Sequence, residues 1–324
     1  MNITIDKKSN LVVAADIGGS NTRVALVDLK GNILEKKTTK TNPSDGIENA
    51  GYEISKMIDS ISKSKPVKGI AYSSAGPINQ ITGQYINPPN LTGWHNKSLI
   101  PIIKENLKID ANETVKIGHD ATLAALAETK FGKNKGAKNI IYLTVSTGVG
   151  AGIISNGNII QGENWFAGEV GHMIINPDGP SCSLGCPGCL EGNVSGTAIA
   201  SIAKEKIKKG VNTNILEKYL TENIDSKIIF DYAQKKDKLS IEIINSVLEN
   251  LGKGLASLLA ILNPEVIILG GSVSEALNKF YWEELIEQTK RFSIPFYKTA
   301  PPVQITTLGD DASILGASII ASEC

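Results

Sequence analysis

At 324 residues the chain is long enough for two domains of ordinary size, each with its own core, and too long for a single small module. Its 33 basic and 33 acidic side chains cancel, and no Lys/Arg block is interleaved with aromatics. The footprint of a nucleic-acid or anionic-membrane partner is therefore missing, which leaves a small molecule as the expected partner. The N-terminus MNITIDKKSN is polar, no apolar run has the length of a membrane span, and the four cysteines are three in a cluster and one at a mobile C-terminus. That pattern points to a reducing, cytoplasmic setting with a metal site and away from a disulfide frame.

The apolar run LVVAA (11–15), the turn DIGGSN and the alternating TRVALVDL predict a strand, a glycine turn and a second strand, so a hairpin opens the protein. A turn at Lys30-Gly31-Asn32 leads into ILEKKTTK as a third strand. GIENAGYEISKMIDSISKS reads as an amphipathic helix and VKGIAYSSAG as a strand ending in a glycine loop, an alternation that argues for α/β layers. INPPNLTGW (86–94), with two prolines and a glycine, is a loop carrying Asn90 and Trp94, of the kind that presents ligands. After the strand VKIG come His119 and Asp120, then the alanine-rich helix ATLAALAETKF; taken alone, Asp120 reads as a helix cap. NIIYLTVSTGVGAGIISNGNII (139–160) repeats the opening layout, which points to two related domains. The chain is expected to be helical from 197 to about 262, ending at Asn263-Pro264. VIILGG (266–271) then follows as a buried parallel strand, with a helix over 275–291, the strand VQITTLG and a closing helix ASILGASIIAS.

Chemistry concentrates between Trp165 and Glu191, WFAGEVGHMIINPDGPSCSLGCPGCLE. Cys182, Cys186 and Cys189 are spaced C-x3-C-x2-C, with His172 upstream, so three sulfurs and one imidazole form one tetrahedral Zn²⁺ ligand set. The plainer alternatives are small buried residues or a disulfide; Gly185 and Gly188 would let each sulfur turn toward a common centre. A zinc with four protein ligands is structural, so chemistry falls to the carboxylates that the loop holds in place.

Three glycine turns follow apolar strands: Asp16-Ile17-Gly18-Gly19-Ser20-Asn21-Thr22, Ser146-Thr147-Gly148-Val149-Gly150-Ala151-Gly152, and Gly270-Gly271-Ser272. Glycine lets backbone N–H groups converge on phosphate oxygens, and three such turns in two halves fit a nucleotide held in a cleft between domains. None is a P-loop, and none is the G-x-G-x-x-G of a dinucleotide fold. Asp16 is placed to hold Mg²⁺ or its waters.

With these residues in view the chain resembles the sugar kinases of the ROK family (repressors, open reading frames and kinases), within the group that shares the actin and hexokinase ATPase fold. The resemblance is carried by DIGGSNTRVALVD, GPINQITGQYINPPNLTGW, HDATLAALAE, STGVGAGII, AGEVGHMIINPDG with GCLEGNVSG, NPEVIILGG and LGDDASILGA, in the family's order from Asp16 to Ala317. It implies an α/β fold of two ribonuclease-H-like domains with a cleft between them. The smaller would comprise 1–118 plus about 310–324, and the larger 119–309. It implies that Asp120 is the base, that Glu169, His172 and Glu191 contact sugar hydroxyls, and that Asn90 and His119 line the same pocket. The Asp16 turn (Asp16, Gly18, Gly19, Ser20, Asn21, Thr22) and the second turn (Thr147, Gly148, Val149, Gly150) would hold ATP phosphates and Mg²⁺. Gly270 and Gly271 would lie against adenosine, and His172 would join one nitrogen to zinc and the other to the sugar.

Two positions depart from the family pattern. Its cysteines run C-x-C-G-x-x-G-C, whereas here the middle one is Leu184 and Cys186 follows two residues later; and His119 stands where Asn usually precedes the Asp. The expected activity is ATP-dependent phosphorylation of a hexose, with glucose to glucose 6-phosphate preferred because the 90–94 loop resembles the glucokinase members. N-acetylmannosamine, N-acetylglucosamine and broad hexokinase activity are alternatives. A sugar-responsive repressor is disfavoured, because only fifteen residues precede Asp16, too few for a helix-turn-helix, and a dead sugar-binding protein is disfavoured by Asp120. A homodimer is expected, with no nucleic-acid or membrane partner.

Overall fold

The computed structural model describes residues 1–324 apart from Pro89, Lys218 and the side chain of Glu222, so Pro89 of the predicted 86–94 loop and Lys218 of the predicted helical run lie outside the described residues. The first half runs β1 (Leu11–Ile17), β2 (Asn21–Asp28), β3 (Ile33–Lys40), α1 (Ile47–Ser62), β4 (Ile70–Ser74), the short pair β5 (Ile78–Asn79) and β6 (Gln84–Tyr85), α2 (Leu99–Leu107), β7 (Val115–His119) and α3 (Asp120–Lys130). The second runs β8 (Ile140–Val145), β9 (Val149–Ser155), β10 (Asn158–Ile159), α4 (Leu190–Val194), α5 (Gly196–Lys208), α6 (Ser226–Gln234), α7 (Lys238–Leu262), β11 (Val266–Gly270), α8 (Ser272–Phe280), α9 (Trp282–Phe292), β12 (Val303–Ile305) and α10 (Ala312–Ala321).

Two five-stranded sheets result, ordered β3-β2-β1-β4-β7 and β10-β9-β8-β11-β12. In each, three antiparallel strands lead and two parallel strands follow, so the echo between the two sequence halves is an echo of topology. β1 and β11 are buried along nearly their whole length because each lies inside a sheet covered on both faces, which is why they read as unbroken apolar runs. One face of the first sheet packs on α1 and α2 around Ile54, Ile58, Leu99 and Ile103; one face of the second packs on α5, α6 and α7.

The other two faces meet through α3 and α10. Each of these helices follows the last strand of one sheet and packs on the opposite sheet: α3 on β8 and β9, α10 on β1 and β4, and the two on each other. Close approach is set by two glycines. A Cβ on Gly152 of β9 would overlap the Ala121 carbonyl oxygen, and one on Gly316 of α10 would overlap the Leu123 carbonyl oxygen. The alanines of α3 (Ala121, Ala124, Ala125, Ala127) fill the remaining space, so a helix with almost no amphipathic contrast is buried nearly all round.

Several elements differ from the sequence expectation. Among the described residues the run 197–262 holds three α-helices: Gly210, at φ +87, follows the end of α5, and α6 starts only at Ser226 under the Asp225 cap. The helix expected over 275–291 is two, broken at Tyr281, whose hydroxyl accepts from Gln234 at 2.8 Å and whose ring tilts on Phe230. α2 hides behind Pro101, which is tolerated in its first turn; Ser98 caps it by accepting from the Ile100 amide. Trp94 presents nothing to a ligand: it is fully buried, edge-on to Tyr85 at 5.2 Å. Cys324, expected at a mobile end, docks on β4 with its thiol 3.8 Å from the Ile70 carbonyl.

Gly316→Ala is expected to lower stability by about 1–3 kcal/mol through overpacking against α3. Urea denaturation reads this directly, and an unchanged midpoint would mean that α10 stands off that backbone.

Candidate functional site

Between the sheets lies a cleft of about 1110 Å³ lined from both halves. β1 delivers Asp16 to its floor, since the strand ends one residue later and the chain turns back through Gly18 and Gly19, where the Gly18 amide donates to the Asn21 carbonyl at 3.0 Å. Asn90 lies on that turn: a Cβ on Gly19 would stand 2.9 Å from the Asn90 Cβ, so glycine is what lets the 90–94 loop settle there. The second turn enters from β8 and β9. Its Ser146 and Thr147 carbonyls accept from the Gly196 amide at 2.7 Å and the Thr197 hydroxyl at 2.9 Å, which ties it to the start of α5.

β7 runs straight into α3, placing Asp120 at the first helical position and His119 at the cap. Asp120 Oδ1 accepts the Ala121 amide at 2.7 Å, and His119 Nε2 stands 3.3 Å from the same oxygen. The expected cap residue is thus the first helical residue, and its Oδ2 has no protein donor in the structure among the described residues. Glu169 caps a single 3₁₀ turn over Val170–His172, and its Oε2 is 3.8 Å from His172 Nε2. Glu191 reaches from α4 to the second turn, with Oε2 accepting the Val149 amide at 2.9 Å.

The opposite face of His172 meets the cysteine loop: Nδ1 is 3.7 Å from Cys182 Sγ. The ligand atoms of His172, Cys182 and Cys186 all lie within 4.8 Å of one another. Zinc bonds of about 2.0–2.3 Å set tetrahedral ligand–ligand edges of roughly 3.5–3.8 Å, so the donor set fits. Cys189 stands outside that trio as the buried cap of α4, its thiol accepting the Gly192 amide at 3.4 Å. Cys186, and not the exposed Leu184, is the side chain that the Gly185 turn brings to His172 and Cys182.

The expected residues therefore divide. Asp16, Gly18, Gly19, Ser20, Asn21, Asn90, His119, Asp120, Thr147, Gly148, Val149, Gly150, Glu169, His172, Cys182 and Glu191 line the cleft. Thr22 is turned away and pairs with the Thr41 hydroxyl at 2.8 Å, while Gly270 and Gly271 lie at the α8 cap outside the lining. The Gly271 turn still touches the second turn through Ser272, 3.2 Å from the Ser146 hydroxyl. Sequence reading misses Arg23. In the hairpin register it sits directly opposite Asp16, with NH1 3.5 Å from Asp16 Oδ2 and its other amine 3.5 Å from Asp310 Oδ2. Counting residues across the β1–β2 turn is the signal that finds it.

Charge in the cleft is lopsided: among the described lining residues Asp16, Asp120, Glu169, Glu191 and Glu205 face one permanent cation, Arg23. Burial, and next the negative charge of Asp120, push the Asp16 carboxyl up to about 6. A buried acid that resists ionising beside a second carboxylate is a site that a divalent cation would relieve, which fits Mg²⁺.

Two five-stranded sheets of identical topology, a cleft between them and glycine hairpins facing each other across it define a protein of the actin/hexokinase-like fold. The chain belongs to the ROK family, whose family model matches residues 12–324. It is 32% identical over 314 residues to a glucokinase of Thermotoga maritima, covering 96% of this chain and 97% of that protein. It is 29% identical to a xylose repressor of Caldicellulosiruptor bescii, covering 97% of this chain and 78% of that one. The crystal structure of a ROK family glucokinase from Streptomyces griseus in complex with glucose and AMPPNP superposes with a TM-score of 0.79 at 26% identity, covering 97% of this chain and 100% of that chain.

A carboxyl whose folded pKa, about 6, lies above its ordinary 3.8 contributes stability that is complete below 3.8 and lost as pH rises through 6. Asp16→Asn is uncharged throughout, so without nucleotide it should match the wild type near pH 4 and exceed it near pH 8 by about 1–3 kcal/mol. Urea midpoints at the two pH values measure the gap; a constant difference would remove the burial argument.

Proposed function

We propose that this chain transfers the γ-phosphoryl group of ATP to a hexose, with glucose to glucose 6-phosphate as the preferred reaction. It is an ATP-dependent sugar kinase, and the observation that carries the finer reading is Asp120: a carboxylate at a helix start that lines the cleft, with one oxygen tied to backbone. Glu169, His172 and Glu191 lie around it and would bind the remaining hydroxyls, and Asn90 and His119 line the same pocket. Acceptors of that density suit a polyhydroxylated ligand, and a site built to pair hydroxyls rejects analogues that leave its groups unpaired.

Asp120 would take the proton of the acceptor hydroxyl as its oxygen forms the bond to phosphorus and the bond to the ADP oxygen breaks. In a loose transition state little nucleophilic push is needed, so positioning and charge neutralisation supply most of the rate. The Gly18–Asn21 and Thr147–Gly150 turns would hold the phosphates with backbone amides, Asp16 would hold Mg²⁺ or its waters, and the Gly270-Gly271 turn would stand behind the nucleotide. Bound Mg²⁺ neutralises charge on the transferred group. The two domains that would close over the sugar are 1–118 with about 310–324, and 119–309; closure excludes water as a competing acceptor.

The zinc would be structural, held by His172, Cys182, Cys186 and Cys189, bracing the loop that carries Glu169 and Glu191. All four cysteines of the chain are free thiols, which is consistent with a cytoplasmic enzyme. No helix among the described residues is long and apolar enough to cross a membrane. A homodimer is the expected assembly.

Asp120→Ala is expected to lower kcat by about 10²–10⁴-fold, the usual worth of a general base, with glucose binding retained. A coupled ADP-release assay with calorimetric sugar binding tests this, and near-normal turnover would refute the role. In the same assay a panel of glucose, mannose, N-acetylglucosamine and N-acetylmannosamine should give glucose the highest kcat/KM; a preference for N-acetylmannosamine would leave the kinase and revise the sugar. Cys186→Ser should lose zinc, measured by plasma mass spectrometry of the purified protein, and adding Leu184→Cys should restore it. Full zinc content in Cys186→Ser would exclude that ligand.

A further inference from the structure

His119 ends β7 and caps α3, yet its side chain makes no capping bond to the helix. The ring turns toward the residue that follows it, with Nε2 3.3 Å from Asp120 Oδ1. That oxygen already accepts the Ala121 amide at 2.7 Å. A carboxylate oxygen offers two lone-pair positions. With one filled by backbone and the imidazole nitrogen close by, Oδ1 is the more engaged oxygen, and Oδ2 is the freer one for an incoming hydroxyl.

The ring also lies near glycines from both halves of the molecule. A Cβ on Gly76, beyond the end of β4, would stand 2.9 Å from its Cδ2, and one on Gly150 of β9 would stand 3.8 Å from its Cε1. The His119 side chain is 22% exposed against 37% for Asp120, so it sits behind the carboxylate, with the more open group in front. The 3.3 Å separation is longer than a charge-assisted bond of about 2.7–2.9 Å. Catalytic hydrogen bonds are commonly long before substrate binds and shorten in the reacting complex.

We propose that His119 is the positioning residue of the base: its Nε2–H holds Asp120 Oδ1, so that Oδ2 receives the hydroxyl proton. This rests on the base role given to Asp120 above. His119 neither gains nor loses a proton in the step: the hydroxyl O–H bond breaks and its proton moves to Oδ2, the oxygen's electron pair forms the bond to phosphorus, and the bond from phosphorus to the ADP oxygen breaks, its electron pair leaving with ADP. The role differs from that of a sugar contact, and side-chain length separates the two. Glutamine carries its amide nitrogen about as far from the backbone as imidazole carries Nε2, whereas asparagine carries it one carbon nearer.

The test is kcat and hexose KM for His119→Gln, His119→Asn and His119→Ala, with thermal midpoints recorded for each. Losing a hydrogen bond to a charged group predicts that His119→Asn and His119→Ala lose about 10- to 100-fold in kcat with little change in KM, and that His119→Gln stays within about 5-fold of wild type. The proposal is overturned if His119→Asn matches the wild type, if all three variants lose or keep activity equally, or if KM rises while kcat holds, which would make His119 a sugar contact. Should the wild type turn over no hexose, or Asp120→Ala remain active, the base role itself fails and takes this inference with it. An active wild type with an inactive Asp120→Ala leaves the histidine series to decide the inference alone.

Discussion

The rest of the structure depends on backbone meeting backbone at α3. Gly152 and Gly316 remove the side chains that would hold β9 and α10 away, and the helix lies against both. Such contact leaves little freedom to tilt or slide, because an interior packed at crystal-like density offers no slack. Asp120 is the first residue of that helix, so its position is fixed by packing over the length of α3 as well as by its own hydrogen bond. The same helix buries Glu128 two turns later, where burial raises its carboxyl and the Thr306 hydroxyl donates to it at 2.5 Å. A polar anchor at the far end and a glycine clasp in the middle make α3 a rigid mount.

Electrostatics explains why the cleft is made of such unlike parts. Sugar hydroxyls favour a crowd of acceptors, and the cleft supplies Asp120, Glu169 and Glu191. A nucleotide's phosphates are repelled by the same crowd, and side-chain cations are nearly lacking. On the proposed function, the glycine hairpins would resolve this conflict with amide N–H groups, which are positive without carrying a net charge. Arg23, held between Asp16 and Asp310, is already engaged.

What the chain declares in its sequence follows from local physics. Apolar strands ending in glycine turns are legible because a buried parallel strand is mostly apolar and a tight hairpin favours small residues, so β1, β2, β8, β9 and β11 stand where they are expected. The cysteine cluster is legible by spacing, although the reach of Cys189 to the other sulfurs is decided by its place as an α4 cap. Tertiary choices leave no local trace. The break at Tyr281 comes from a ring that packs on Phe230, the burial of Trp94 from its edge-on contact with Tyr85, and the engagement of Arg23 from a strand register. Gly270 and Gly271 look like the first two turns but lead into a helix instead of a second strand.

The crossing of α3 and α10 also bears on how the molecule comes into being. One face of the first sheet, formed by Val12, Ala14, Ala25 and Ala71, is covered largely by Ile314, Leu315, Ala317 and Ala321. These partners lie some 240–310 residues further along the chain, so an emerging polypeptide carries much of that apolar surface bare until α10 is made. Pairings so distant in sequence are slow to form and leave sticky intermediates exposed. The element that makes the clamp rigid is thus also the one that obliges the nascent chain to wait.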